Sequence, residues 1–574
     1  MIYRRRFLSQ SIATSVALFS PYTFLKQVSG MEHPFENARE QAYDVVIVGG
    51  GLGGCSAALA ALQSGLRVLL TEETDWIGGQ LTQQAVPPDE HRWIETTGCN
   101  PSYREFRNRI REYYRRNYPL TDSAKAKPYL NPGNGSVSPL CHEPRVALAV
   151  LHEMLGPWLS NGRLTLALET RPSEARVGGD RIESVCFETR SGHKIWVTGS
   201  FYIDATEQGD LLPMTKTEYQ IGSEAQSVTQ EPHAASVADP KNIQSFVHCF
   251  AIDYLEGEDH TIDRPRDYTF WRDHVPNLRP AWSGKLLSLS YSSPRDLKPK
   301  TLDFVPETAG KPLPKTPGLN LWMYRRLLDP SQFTAGAYRS GISLVNWPQN
   351  DYMLGNIVDE PAEVIAKHLE GAKQLSLSWL YWLQTEAPRL DGGQGWKGLR
   401  LRHDIVGTED GLAKYPYIRE SRRIQAEFTI LEQHIAKASR VALQKSSDSK
   451  PTSENFADSV GIGYYHLDLH PSSRGDNYID FESLPFQIPL GALIPRRMEN
   501  LLASCKNIGT THISNGCYRL HPVEWGIGEA AGRLVAFCMQ KKQSPKAVRN
   551  SPEQLSDFQA QLVATGIELS WKAV

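Results

Sequence analysis

The segment Val45-Val46-Ile47-Val48 runs directly into Gly49-Gly50-Gly51-Leu52-Gly53-Gly54. Its first four residues have the unbroken apolar character of a strand buried on both faces. Residues 54–64, rich in Ala and Leu, read as a helix, and 67–71 as a second apolar strand. Glu72 closes that strand, 23 residues after Gly49. This is one βαβ unit with Gly-x-Gly-x-x-Gly at its first turn. The glycines permit a tight turn and the close approach of backbone to a pyrophosphate, and the helix N-terminus offers free N–H groups and partial positive charge. An acid at the end of the second strand accepts hydrogen bonds from the hydroxyls of an adenosine ribose, which selects FAD or NAD over NADP. A glycine turn without a ligand is the alternative for the motif alone. Strand, motif, helix, strand and acid together read as a nucleotide site.

Three further features choose FAD. Paired glycines in Asp75-Trp76-Ile77-Gly78-Gly79-Gln80 let the chain pass close to a dinucleotide. A strand ending in Asp204-Ala205-Thr206, continued by Glu207-Gln208-Gly209-Asp210, offers a second nucleotide contact. Near the C-terminus, Gly526-Ile527-Gly528-Glu529-Ala530-Ala531-Gly532 reads as small residues opening a helix. Its N–H groups would face the flavin and its dipole would stabilise negative charge on the reduced ring. The expected cofactor set is Gly49, Gly51, Gly54, Glu72, Gly78, Gly79, Gln80, Ala205, Thr206, Gly209, Asp210, Gly528 and Ala531.

With these residues the chain resembles the FAD-dependent oxidoreductases of the large two-dinucleotide-binding-domain flavoprotein superfamily. It is more closely similar to a bacterial group labelled xanthan-lyase-like. The stretches that carry the resemblance are 75–83, Pro87-Pro88-Asp89-Glu90-His91, 204–211, Tyr417-Ile418-Arg419-Glu420-Ser421-Arg422-Arg423-Ile424, Tyr465-His466-Leu467-Asp468-Leu469-His470, and Pro485-Phe486-Gln487-Ile488-Pro489 through Gly532. It implies a bound FAD, a redox function, and an α/β fold: a Rossmann-like FAD-binding domain of the GR2 flavoprotein type with an inserted mixed α+β substrate domain. It names no substrate, and no residue supports the lyase label. The chain departs from the pattern twice. Ala205-Thr206-Glu207 stands where the superfamily often has Ala-Thr-Gly, and Ser504-Cys505-Lys506 where the group has Ala-Gly-Arg-like residues.

The 574 residues are enough for several domains. We divide them into an export signal and linker (1–40), a first FAD-binding part (41–215), a substrate or cap domain (216–455), a second FAD-binding part (456–545) and a C-terminal helical tail (546–574). Tyr3-Arg4-Arg5-Arg6-Phe7-Leu8-Ser9 before a mild apolar stretch matches a twin-arginine signal, which implies a periplasmic protein; a basic tail on a cytoplasmic protein is the alternative. A net charge of −2 gives no electrostatic case for nucleic acid. No apolar run is long enough to span a membrane. Eight cysteines without Cys-x-x-Cys point to free, buried thiols rather than a metal site. Residues 103–116 read as an amphipathic helix whose arginines face solvent, or of which one or two reach an anionic group. Residues 164–169, 182–189 and 194–198 read as a β-meander, and 201–204 as a return to the nucleotide-binding sheet. Residues 361–385 and 420–438 read as long helices, and 444–454 as a linker. Seven tryptophans, 271, 282, 322, 347, 379, 382 and 396, read as the core of the second domain, or as the walls of an aromatic pocket.

Flavin oxidations need a hydride placed over N5 and a base for the companion proton. If 465–470 is a strand, His466, Asp468 and His470 share one face. His470 is then the candidate base, with Asp468 orienting it. A structural pairing or a three-ligand metal site are the alternatives. His512 and Arg519 precede the late glycine segment and complete the expected catalytic set; Arg519 would hold a substrate carboxylate or the reduced flavin's charge. Arg419 and Arg423 could do the same, or pair with Glu420 or Glu427. Cys505 as a redox thiol and His91 as a covalent flavin attachment are lesser readings. The expected function is hydride transfer between a small organic substrate and flavin, with an unidentified electron acceptor. The rivals are an NAD-dependent dehydrogenase or epimerase, which needs neither the Ala205-Thr206 contact nor a returning C-terminal helix, and a flavin-binding protein without catalysis.

Overall fold

The computed structural model describes residues 34–35, 40–308, 310–311, 313–443 and 450–572. Most of the segment expected to be an export signal and linker (1–40) and the start of the polar linker, 444–449, lie outside the described residues.

The main sheet grows from β1 (Glu40–Val48), whose Val45–Val48 run is buried, as a strand covered on both faces requires. β2 (Val68–Thr71) and β3 (Leu164–Ala167) lie beyond it on one side. On its other side the sheet runs into a meander of β4 (Thr170–Gly178), β5 (Arg181–Thr189) and β6 (Lys194–Asp204), with β6 against β1. The late strand Leu501–Ala503 pairs in parallel with the far end of β6. The parallel strands therefore run β3-β2-β1-β6-(501–503). The chain builds outward from β1 on one side and returns on the other, so a crevice opens between the carboxyl ends of β1 and β6.

The meander differs from the sequence expectation. The runs 194–198 and 201–204 are one eleven-residue strand, 164–167 belongs to the parallel sheet, and 170–178 supplies the outer strand. Helix α1 (Leu52–Gln63) is buried over most of its length, so it shows little amphipathic signal. The amphipathic helix α2 (Pro101–Asn117) forms as expected and buries Tyr103, Phe106 and Ile110. Two of its arginines are not solvated. Arg107 pairs with Glu90 at 2.8 Å and Glu95 at 2.7 Å, and Arg111 with Glu95 at 2.6 Å. The anionic groups they reach are the chain's own, a few turns of loop upstream.

A second sheet, β7 (Phe250–Tyr254), β8 (Arg326–Leu328), β9 (Ile342–Val345) and β10 (Leu399–Leu401), supports α3 (Ala362–Thr385). Between them lies an apolar cluster separate from the main core, and all seven tryptophans are inside it. They are core residues, not pocket walls. The helix expected at 420–438 does not form. Its amide groups donate across the molecule instead: Ile424 to Asn507, Glu427 to Ile494 and Ile430 to Gly509. Only two short helical turns, Glu432–Ile435 and Lys437–Ala442, follow. All eight cysteines are free, and seven are buried.

Candidate functional site

The first turn of the βαβ unit leaves no room for side chains. Gly49 has φ +98°, and a Cβ there would lie 2.4 Å from the Ala205 carbonyl oxygen. A Cβ on Gly54 would meet the Gly49 oxygen at 2.0 Å. The loop after β2 folds back onto this turn. The Gly78 N–H donates to the Gly50 oxygen at 2.7 Å, and Gly78 and Gly79 both have positive φ. A Cβ on Gly79 would sit 3.0 Å from the Gly51 Cα. The paired glycines thus allow one glycine loop to pack on another. Glu72 lies buried at the end of β2, accepting from Gly50 N–H and Thr74 N–H at 2.9 Å each. Burial lifts its carboxyl to about 7, against the hydrogen bonds it accepts from Thr74, Gln83 and Gly50.

The turn after β6 is held by its own side chains. Asp204 accepts from the Thr206 N–H and hydroxyl and from Leu211 N–H, and the Thr206 oxygen accepts from Asp210 N–H at 2.7 Å. Gly209 takes a left-handed φ of +70°, and Asp210 pairs with Arg422 at 3.2 Å. Ala205 brings its carbonyl against Gly49 and Gly51. Thr206, Gly209 and Asp210 therefore shape the turn, and the backbones of Ala205 and Thr206 touch the glycine loop.

The late glycines act differently from expectation. Helix α4 (His512–Tyr518) is followed by α5 (His521–Lys541), so Gly528 and Ala531 lie well inside a helix rather than at its start. A Cβ on Gly528 would fall 2.0 Å from the Gly53 oxygen, and one on Gly532 2.3 Å from the Ala57 oxygen. They let α5 press onto the backbone of α1, and Ala531 is buried in the same contact face. The N-terminal turn of α5 carries Glu524 instead. Its carboxylate accepts from Gly53 N–H at 3.4 Å and from the Gln80 amide at 2.6 Å. Glu207, from the turn after β6, pairs with Lys506 at 2.5 Å, and Lys506 lies 3.7 Å from Glu524.

These residues fit a dinucleotide with an unphosphorylated ribose. The cradle is one that Cβ atoms would fill, the helix N-terminus aims at it, and an acid ends the second strand. Gly49, Gly51, Gly54, Glu72, Gly78, Gly79, Gln80 and Ala205 converge there.

Beside Gln80 a chamber of buried polar side chains lies between the two cores. The Tyr417 hydroxyl donates to the Gln80 oxygen at 3.2 Å and lies within electrostatic reach of Arg325, Arg419, Arg519 and Asp89. Arg325 spans to Asp89 with both terminal nitrogens, at 3.2 and 3.4 Å. Arg519 donates to the Asp468 carbonyl at 2.9 Å and lies 3.5 Å from its carboxylate. The Nε atoms of Arg325, Arg419 and Arg519 are buried without a hydrogen-bond partner. His470 reaches this chamber from the end of β11 (Leu467–Leu469), which pairs with β12 (Ile479–Phe481). Its Nδ1 lies 2.7 Å from Asp351, a fully buried carboxylate that Arg419 also holds at 2.9 Å. Asp468 is 3.8 Å from the other ring nitrogen. The orienting acid is therefore Asp351, more than a hundred residues upstream, and not Asp468. Because a carboxylate only accepts, Nδ1 donates to Asp351. Burial disfavours the Asp468 carboxylate, but His470 and Arg519 outweigh it and hold the group below its ordinary range.

Other expected residues are engaged elsewhere. His466 pairs with Asp480 at 2.6 Å, away from His470. Among the described residues no group of three or more His, Cys, Asp or Glu is placed to hold a metal. His512 is buried on Glu420 at 2.9 Å, and Arg423 joins the same carboxylate and Glu224. His512 is thus part of a structural ion cluster. The Cys505 thiol is buried on the Thr206 carbonyl, and burial pushes it well above its ordinary value. His91 uses both ring nitrogens, Nε2 on the Gly98 carbonyl and Nδ1 toward Trp93 N–H, so neither is free to hold a flavin.

No curated protein matches the chain. Solved structures with some likeness include a geranylgeranyl bacteriochlorophyll reductase-like protein of Thermoplasma acidophilum (10% identity over 92% of this chain and 85% of that one, TM-score 0.28). Another is the L-proline dehydrogenase of P. horikoshii (17% identity, 32% of this chain and 24% of that one, TM-score 0.17). A third is the p-nitrophenol 4-monooxygenase of Pseudomonas putida DLL-E4 (13% identity, 40% of this chain and 51% of that one, TM-score 0.23). The chain spans about a quarter of the length of the proline dehydrogenase. At those scores the likenesses carry no argument. The family described as FAD dependent oxidoreductase matches residues 44–562, from the first parallel strand to the C-terminal helix. The chain belongs to that family, and FAD is its cofactor.

Proposed function

We propose that the protein oxidises a small hydroxyl- or amine-bearing organic acid, with His470 as the base. The observation that supports this most is the His470–Asp351 pair, 2.7 Å apart and joined by Arg419 to the buried arginines. Flavin supplies a two-electron acceptor when bound. Asp351 fixes the ring through Nδ1, and Nε2, 3.8 Å from Asp468, takes the proton of the substrate's O–H or N–H. Arg419, which shares Asp351, keeps that carboxylate ionised; although burial opposes the charge, the guanidinium and His470 hold it below its ordinary value.

The chamber's three arginines are balanced by Asp89, Asp351 and Asp468. A substrate carboxylate would add one negative charge, and the imidazolium formed at His470 would offset it. The unpartnered Nε–H groups of Arg419 and Arg519 are the donors available to that carboxylate. Removing water from around them strengthens the contact.

The test is an anaerobic panel of 2-hydroxy acids and amino acids mixed with the FAD-loaded protein. We expect one class to bleach the visible flavin bands, and His470→Asn to slow that bleaching by about 10²- to 10⁴-fold. Bleaching at an unchanged rate in that variant would remove His470 from the reaction. Export to the periplasm, expected from residues 1–40, remains part of the proposal.

A further inference from the structure

Two carboxylates stand directly on the glycine loop. Glu524 accepts from Gly53 N–H, one of the free donors at the head of α1. Glu207 presses from the other side. Its Oε1 would lie 3.0 Å from a Cβ on Gly51 and 2.8 Å from one on Gly79, and that oxygen is buried without a hydrogen-bond partner. A single cation, Lys506, serves both acids, at 2.5 and 3.7 Å. All three side chains are more than nine-tenths buried.

Two acids and one ammonium leave the loop with an excess negative charge, on the surface where the FAD diphosphate, itself a dianion, has to be held. Like charges brought together in a dry site cost several kcal/mol unless a cation or a proton intervenes. Burial, the largest influence on Glu524, lifts its carboxyl to about 7, as expected for an acid with too little positive charge around it.

We propose that Glu207 and Glu524 make FAD an exchangeable cofactor in this protein, because they compete with its diphosphate for the glycine loop and for Lys506. The ammonium is shared between the chain's own carboxylates and the cofactor, so affinity is set by how much of Lys506 the acids release. Neutralising either acid frees it.

The experiment is an FAD titration of the full chain, followed by quenching of flavin fluorescence, for wild type, Glu207→Gln, Glu524→Gln, Lys506→Met and the double variant E207Q/K506M. Far-UV circular dichroism first establishes that each is folded. Glu207→Gln and Glu524→Gln should each tighten FAD by about tenfold, and Lys506→Met should loosen it by a similar factor. The Lys506 change should cost more in the Glu207→Gln background than in wild type, because the lysine is then wholly committed to the cofactor. If Glu207→Gln does not fold, Glu524→Gln carries the same expectation. Unchanged or weaker binding in the folded Gln variants would overturn the proposal alone. No FAD binding by any folded form would overturn it together with the assignment of the cofactor.

Discussion

Asp351 and Gly49 set the terms at the scale of single residues. Asp351 holds the Nδ1 of His470, the proposed base, at 2.7 Å, and no pattern near 465–470 points to an acid so far upstream. The sequence rule that residues two apart share a strand face led to Asp468, and that rule is sound for β11. The contact that orients the ring is tertiary, so it was not legible. Asp351→Asn should leave FAD binding intact and slow flavin reduction by about 10²-fold or more, because the ring loses its fixed tautomer. Full activity in that variant would return the orienting role to Asp468. Gly49 is the opposite case. The motif declares it, and its φ of +98° with a carbonyl 2.4 Å from a Cβ explains the declaration. Gly49→Ala should lower stability by about 2–4 kcal/mol, read as a fall in the denaturation midpoint, with FAD binding lost.

At the scale of elements, α5 and the 419–430 segment show why some signals mislead. Small residues four apart in a helix look the same whether they admit a ligand or another helix. Gly528 and Gly532 admit α1, since a Cβ on them would lie 2.0 and 2.3 Å from its carbonyl oxygens. Gly528→Val should separate the two helices and cost about 1–3 kcal/mol or more, together with the FAD site, since Gly53 is the residue displaced. A variant that keeps both stability and cofactor would deny that packing is the glycine's purpose. The 420–438 stretch has helical composition, yet its backbone bonds run to three other segments. Glu420 is the anchor, shared by His512, Arg423 and the Gln244 N–H. Burial opposes its charge, but His512 and Arg423 outweigh it and bring the carboxyl down to about 2. A carboxyl lowered on folding contributes stability above its unfolded pKa of about 4.3, and that contribution is lost as pH falls toward about 2. His512 titrates the other way. Burial works against its imidazolium, Glu420 prevails, and the pKa lies above the ordinary value. Its contribution is complete below about 6.5 and fades as pH rises through the folded value. Glu420→Gln should cost about 3–5 kcal/mol at neutral pH and flatten the acid limb of the stability–pH curve between about 4 and 2. An acid limb identical to that of wild type would show that other carboxylates carry it.

The whole molecule joins two cores, and the chemistry we propose lies where they meet. The nucleotide half was largely legible, because its βαβ unit follows local rules: a buried-strand run, a glycine turn, a helix, a strand and an acid. The tryptophan-rich half was legible only as a second core. Its sheet pairs β7 with strands far away in sequence, and no short-range period announces that. The chamber between the cores was the least legible part. Arg325 and Asp89 come from opposite halves, and each looks like an ordinary surface charge in sequence. Arg325→Met, which leaves Asp89 buried without its partner, should cost about 3–5 kcal/mol and be partly rescued by a second change, Asp89→Asn. Additive losses in the pair would mean that the bridge is not what couples the halves there.

We propose that FAD sits on the 49–54 turn and is held without a covalent bond. The most direct test is the visible spectrum of the FAD-reconstituted protein before and after acid precipitation, alongside Gly51→Val. Flavin bands in wild type that move wholly to the supernatant, with no bands taken up by the variant, are the predicted result. A protein that stays colourless with added FAD, a pellet that keeps its colour, or a Gly51→Val variant that binds FAD as wild type does would contradict the account.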